Sequence, residues 1–310
     1  MKTDAPRLLV VGAGVNGSIC AAALHGAGVD TTILTRGARV DFIRREGIII
    51  ENPFKGTKTV SHVPVIDALD PNDTYDYILV VVRRNQVSGL MPVLPLNTSP
   101  NVVFMVNNLQ GPGDYIEALG KGRVMLGFVF GAGKRDGNIV RAISSVGLSC
   151  PFGEIDGSNS ERLARLLTIL NQAGLRARAE ANMTDWQTTH AAMVVPFATL
   201  IIKHGCDTRA LGKAPEDIRA MAMATRETLS VLRALDHRIV PGAANILGLL
   251  PRFLLVLIFR RFLASRIAEV GGAWHCSQAP DEMAELALGL KAMVVRSKLP
   301  VPSLRHILGV

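Results

Sequence analysis

The chain has 310 residues, 48% of them hydrophobic, with a mean hydropathy of +0.28; this suits about two domain cores and excludes a chain disordered throughout. Basic residues exceed acidic ones by 34 to 26, and 25 of the basic residues are arginine against nine lysines, a choice that favours bidentate phosphate binding over lysine acid chemistry. Aromatics are 5% and the arginines are scattered, so no basic stripe with interleaved rings marks a nucleic-acid partner.

The chain opens on the apolar run Leu8–Val11, too short for the apolar region of a signal peptide. Ser18 to His25 reads as helix, and Val29–Leu34, Tyr77–Val82 and Val102–Val106 as strands. Continuous apolar strands separated by helices predict a parallel sheet covered on both faces. Val124–Phe130, Asn138–Arg141 and Val146–Cys150 read as shorter strands suited to antiparallel pairing, and Glu161–Gln172 as an amphipathic helix. Leu175–Ala179 closes this part.

From Asn182 onward the pattern is helical. Thr184-Asp185-Trp186-Gln187 is a capping box that starts a helix near Asp185; it runs toward His204 with a kink expected at Pro196. Glu216–Leu235, Ala243–Ala268 and Pro280–Ser297 supply further helices. The fold class is therefore α/β plus all-α: a Rossmann-type dinucleotide-binding domain over 1–180 and a helical substrate and dimerisation domain over 181–310. Ile246–Phe259 is apolar but contains Pro251 and Arg252, short of the ~20 apolar residues of a membrane span. It reads as a buried or interface helix, with a basic membrane-surface helix as the alternative, and the expected setting is the cytoplasm with no membrane partner. Cys20, Cys150, Cys206 and Cys276 lie far apart, which predicts neither a disulfide framework nor a metal site.

Gly12-Ala13-Gly14-Val15-Asn16-Gly17 is a G-x-G-x-x-G sequence between a strand and a helix. The glycines there permit the tight turn, the approach of backbone to pyrophosphate and close helix packing. The second strand ends Thr35-Arg36-Gly37-Ala38-Arg39 without the carboxylate that holds an NAD ribose; Arg36, assisted by Thr35 and Arg39, suits a 2′-phosphate and so predicts NADP. Arg83-Arg84-Asn85-Gln86 and Asn107-Asn108-Leu109-Gln110 end two further strands at the sheet edge where ligands gather.

These features, with the glycine-rich Gly131–Gly137, Asp281-Glu282-Met283 and Leu299-Pro300-Val301-Pro302, resemble the ketopantoate reductases over nearly the whole chain. The resemblance implies NADPH as reductant, a small 2-keto acid held between a Rossmann and a helical domain, and a place in pantothenate synthesis. It assigns Gly12, Gly14, Val15, Asn16, Gly17, Arg36, Arg83, Gln86 and Asn108 to the cofactor, with Asn108 and Glu282 also orienting substrate. The family's general acid is a lysine opening the first long helix of the second domain, and Trp186–Ala192 contains none. Lys203 lies 15 residues past Thr188, about 22 Å along a helix, too far to replace it.

Ketone reduction still needs a proton donor, and histidine is the commonest. His190 is the candidate, although its facing depends on the alignment: matching Trp186 puts the missing lysine at Thr188 and turns His190 about 200° away, whereas matching Pro196 puts it at Gln187 with His190 about 60° off. His275 suits a substrate contact or a partner for Glu282, or simply a packed turn. The expectation is an NADPH-dependent reductase of a small 2-keto acid, ketopantoate or a relative, with His190, Glu282 and Asn108 catalytic, no metal, and pairing into a homodimer. The alternatives are a non-catalytic NADP-binding sensor and an opine- or hydroxyacid-type dehydrogenase with a histidine acid.

Overall fold

The computed structural model describes residues 5–144 and 148–310. The chain forms two compact units, one of Met1–Val106 and Pro112–Met183, the other of Asn107–Gly111 and Thr184–Val310. The second unit thus takes a short segment that the sequence reading leaves in the first.

The first unit runs β1 (Arg7–Val11), α1 (Val15–Gly26), β2 (Asp30–Leu34), α2 (Ala38–Glu46), β3 (Ile48–Glu51), β4 (Lys58–Ser61), β5 (Val65–Ile66), β6 (Tyr77–Val80) and β7 (Val102–Phe104). It continues with α3 (Gly113–Leu119), β8 (Val124–Gly127), β9 (Gly131–Asp136), β10 (Ile139–Ser144), β11 (Cys150–Glu154), α4 (Glu161–Gln172) and β12 (Ala177–Ala179). One sheet has the order β12-β11-β8-β7-β6-β1-β2-β5. Strands β5, β2, β1, β6, β7 and β8 are mutually parallel, and β11 is antiparallel to β8. Leu8, Leu9 and Val10 are completely buried, as a central strand packed on both faces requires. The chain leaves β1 toward β2 and returns on the other side at β6, so the strand order reverses beside β1. That reversal is where open α/β sheets hold ligands.

A second sheet, β4-β3-β10-β9, was not legible as such in the sequence. Its middle pair is parallel, with Ile139 opposite Ile49, and β9 and β10 form a hairpin. The glycine-rich stretch is strand β9: a Cβ on Gly133 would lie 2.2 Å from the Arg141 carbonyl oxygen. The strand expected at Val146–Cys150 falls partly on residues 145–147, outside the described residues; β11 begins at Cys150.

The second unit contains α5 (Met183–Lys203), α6 (Thr208–Gly212), α7 (Pro215–Ala234), α8 (Asn245–Leu249), α9 (Arg252–Leu263), α10 (Arg266–Ala268), α11 (Trp274–Gln278), α12 (Pro280–Ser297) and α13 (Pro302–Leu308). Helix α7 is central, with Ile218, Met221, Ala222, Leu229 and Leu232 fully buried. Two expectations are corrected. Helix α5 starts ahead of Asp185, so Thr184 lies inside it and its carbonyl accepts the Thr188 hydroxyl at 3.0 Å. The helix expected over Ala243–Ala268 is broken, because Leu250 before Pro251 is extended at ψ 140° as a residue preceding proline tends to be. Among the described residues no single helix is long and apolar enough to cross a membrane; Gly242–Leu249 and Arg252–Leu263 meet that test only as a pair bent by 118°.

Candidate active site

In the first unit, the turn after β1 separates its glycines by function. Gly12 has φ +109°, and a Cβ there would sit 2.5 Å from the Val81 carbonyl oxygen; a Cβ on Gly17 would sit 1.8 Å from the Gly12 oxygen. Both are demanded by the packing of α1 on the sheet. A Cβ on Gly14 would meet no protein atom within 4 Å. Gly14 is the N-cap of α1, with no side-chain cap and no acidic residue in the first turn. The turn therefore leaves open space over a helix N-terminus, whose free N–H groups and dipole favour phosphate. Val15 and Asn16 begin that helix, and Asn16 faces β9, since a Cβ on Gly131 would lie 2.3 Å from Asn16 Oδ1.

Two strand ends border this loop. Arg36, just past β2, is exposed and makes no hydrogen bond or ion pair among the described residues. Arg39 does not assist it: its side chain is buried and donates to the Asn138 carbonyl at 2.6 Å. Desolvation first, then the neighbouring Arg135, pull its pKa down to about 10. Beyond β6, Val82 approaches Gly12, and Arg83 follows it half-buried. The Gln86 side-chain oxygen accepts the Arg83 backbone N–H at 3.2 Å, closing a short turn. Arg84 pairs with Asp114 at 3.1 Å.

The helical unit contains a second polar cluster. Glu282, in the first turn of α12, is buried to 3% exposure. One carboxylate oxygen accepts Asn107 Nδ2 at 3.2 Å, and the other lies 3.6 Å from His275 Nε2. The helix dipole also favours a carboxylate here. Asn107 reaches Glu282 because α12 packs closely on the 107–111 segment: Gly289, two turns after Glu282, leaves room for Leu109, whose Cδ1 would be 3.1 Å from a Cβ there. His275 stands on α11 after the π-helical turn Glu269–Ala273, and its side chain is 42% exposed. His190 on α5 stacks on Trp186, with ring centroids 5.1 Å apart. Burial first, then the nearby charge of His275, push its pKa down to about 4.

Residues 8–153 match the model of a protein family described as ketopantoate reductase PanE/ApbA. That stretch, just under half of the chain, is what the chain shares with the family. A 2-dehydropantoate 2-reductase of Aquifex aeolicus is 29% identical over 187 residues, 57% of this chain and 56% of that protein; the match thus spans little more than half of that relative. Among solved structures, the ternary structure of D-mandelate dehydrogenase with NADH and anilino(oxo)acetate superposes with a TM-score of 0.78 at 14% identity, covering 98% of this chain and 96% of that one. The 2-dehydropantoate 2-reductase of Geobacter metallireducens gives 0.76 at 15% identity, covering 98% of each chain. These structures share the fold.

The structure brings together some of the residues expected at the site and separates others. Gly12, Gly14 and Gly17 form the turn, and Arg36 and Arg83 lie at the ends of neighbouring strands. Gln86 braces its own turn. Asn108 is buried, with its Nδ2 donating to the Gly111 carbonyl at 2.7 Å and its Oδ1 accepting the Gln110 N–H at 2.9 Å. The asparagine joined to Glu282 is its neighbour Asn107, which sequence reasoning passed over; adjacent residues of an extended tip point opposite ways, and nothing in the pair Asn-Asn says which. On α5, Thr188 is buried and bonded to its own helix. Lys203 is held by Asp217 at 2.8 Å.

Proposed function

We propose that this chain is an NADPH-dependent reductase of a small 2-keto acid. The observation that carries the reading is the Asn107–Glu282–His275 cluster, a buried carboxylate braced by an amide beside an imidazole in the helical unit. Such a group suits a substrate hydroxyl or carbonyl. The open turn at Gly14 fits a pyrophosphate, and Arg36 fits a 2′-phosphate, so Gly12, Gly14, Val15, Gly17, Arg36 and Arg83 are the residues assigned to the nucleotide. When bound, the reduced nicotinamide supplies the hydride. The helical unit's part is to orient the keto acid, for which Glu282 and the asparagine pair at 107–108 are the candidates, and to deliver the proton, for which its imidazoles His190 and His275 are the candidates.

The test is a fluorescence titration with NADPH and NADH, followed by oxidation assays with a panel of 2-keto acids including ketopantoate and aryl-bearing ones. Tighter binding of NADPH, lost in Arg36→Ala, together with turnover on one class of keto acid, is the expected result. Equal affinity for both nucleotides would remove the role of Arg36. Binding with no turnover would favour a sensor that keeps the nucleotide site alone. Preference for NADH with an aryl-bearing 2-oxo acid would favour the hydroxyacid-dehydrogenase reading; the D-mandelate dehydrogenase structure contains ligands of those kinds.

A further inference from the structure

The reductase reading leaves one chemical requirement open. Hydride transfer to a ketone carbon puts an electron pair on oxygen, and a positioned acid must protonate it. The opening of α5, Trp186–Ala192, offers no lysine, and its one imidazole, His190, is poorly suited to carry a positive charge. It is packed against Trp186 and disfavoured by burial and by His275. His275 has the opposite surroundings. Its Nε2 lies 3.6 Å from the buried Glu282 carboxylate, which is itself fixed by Asn107, and its ring is 42% exposed. An opposite charge at that range favours the imidazolium, and the exposed edge lets the ring exchange protons with water. Of the elements around α11, the π turn carries Glu269, α12 carries Asp281, Glu282 and Glu285, and α5 brings His190. Of these, Glu282 lies within ion-pair distance of the ring.

We propose that His275, held beside Glu282 and backed by Asn107, is the proton donor of this chain, and that His190 is not. The proposal rests on the reductase reading. In the step, the carbonyl carbon gains the hydride of the reduced nicotinamide, the C=O π pair moves to oxygen, and that oxygen takes the His275 proton to give the alcohol. Neutral His275 then regains a proton from solvent. Glu282 acts as a positioning residue, as does Asn107.

The experiment compares wild type, His275→Gln, Glu282→Gln and His190→Gln. In wild type, kcat for keto-acid reduction is expected to fall about tenfold per pH unit above the His275 pKa. His275→Gln should lose about a hundredfold or more in kcat, lose that limb, and keep its nucleotide affinity, which reports that it is folded. His190→Gln should retain the limb. By NMR, the His275 titration midpoint should drop by about one pH unit in Glu282→Gln, a readout that needs no turnover. A His275→Gln enzyme within threefold of wild type, a limb that vanishes in His190→Gln instead, or a His275 midpoint indifferent to Glu282→Gln would each overturn the assignment. A wild type inert on every keto acid would sink the reductase reading itself, even if the NMR coupling were present.

Discussion

Gly14 and Gly17 should respond oppositely to the same added methyl group. At Gly17 the methyl would enter the Gly12 carbonyl, so Gly17→Ala should be strongly destabilised or fail to fold. At Gly14 it would meet only open space. Gly14→Ala should therefore keep the wild-type melting temperature within about 2 °C while losing at least about tenfold in nucleotide affinity, because the methyl occupies the volume a pyrophosphate needs. An alanine variant that binds nucleotide normally would show that the space is not the phosphate cradle. His190 makes a second prediction at this scale. Its folded pKa of about 4 lies below the ordinary 6.5, so the unfolded chain takes up the proton first on acidification. The resulting stability is complete above about pH 6.5 and is lost as pH falls toward 4. The difference between pH 7 and 4.5 is roughly 2 kcal/mol. Urea unfolding of His190→Phe, which keeps an aromatic stack but cannot titrate, should lose about that much less than wild type over the same interval.

Among the elements, β11 and α4 are joined by the bonded side-chain pair Glu154–Arg162. Glu154 is 5% exposed and receives Ser160, the N-cap of α4, and Arg162, whose Nε is 2.7 Å away. Arg162 also donates to Asn101, at 3.1 Å, and to the Gly122 carbonyl. Arg162→Ala would leave the carboxylate buried with its charge partner gone, at a cost of about 3–5 kcal/mol. A fall of less than about 1 kcal/mol in denaturant unfolding would show that the pair is dispensable. Elements whose burial is continuous or periodic were the legible ones: the apolar strands of the main sheet, and α4 and α12, whose observed bounds, Glu161–Gln172 and Pro280–Ser297, match the sequence reading. The second sheet was hidden because its strands mix exposed and half-buried positions and pair over long distances, Ile139 with Ile49. A glycine-rich strand such as β9 also carries no apolar alternation to read. The broken α8–α9 region shows the reverse error, where an apolar run suggested continuity that Pro251 forbids.

For the whole molecule, α8 and α9 leave several large apolar side chains exposed. Leu249, Phe253 and Leu257 are 82%, 73% and 60% exposed, an apolar patch of the kind that marks association sites. The homodimer proposed from the sequence would use it. Light scattering at micromolar concentration should give the dimer mass for wild type and the monomer mass for Phe253→Ser with Leu257→Ser; a monomeric wild type would refute the pairing. The glycine turn and Arg36 were legible as a candidate nucleotide site because they are local in sequence. The polar cluster of the helical unit was legible only in part: Glu282, His275 and His190 were all named, but the partner that fixes Glu282 is 175 residues away from it, and only the fold could choose Asn107 over Asn108.

That separation limits how the protein can be divided. The helical unit is encoded in two pieces, Asn107–Gly111 and Thr184–Val310, so a fragment cut at residue 184 would lack the Leu109 that faces Gly289 and the amide that holds Glu282. A chimera exchanging only the C-terminal half with a relative would join a carboxylate to a foreign strand tip. Transplanting five more residues from the middle of the chain would restore the pair, so the exchangeable module here is spatial and has no single boundary in the gene.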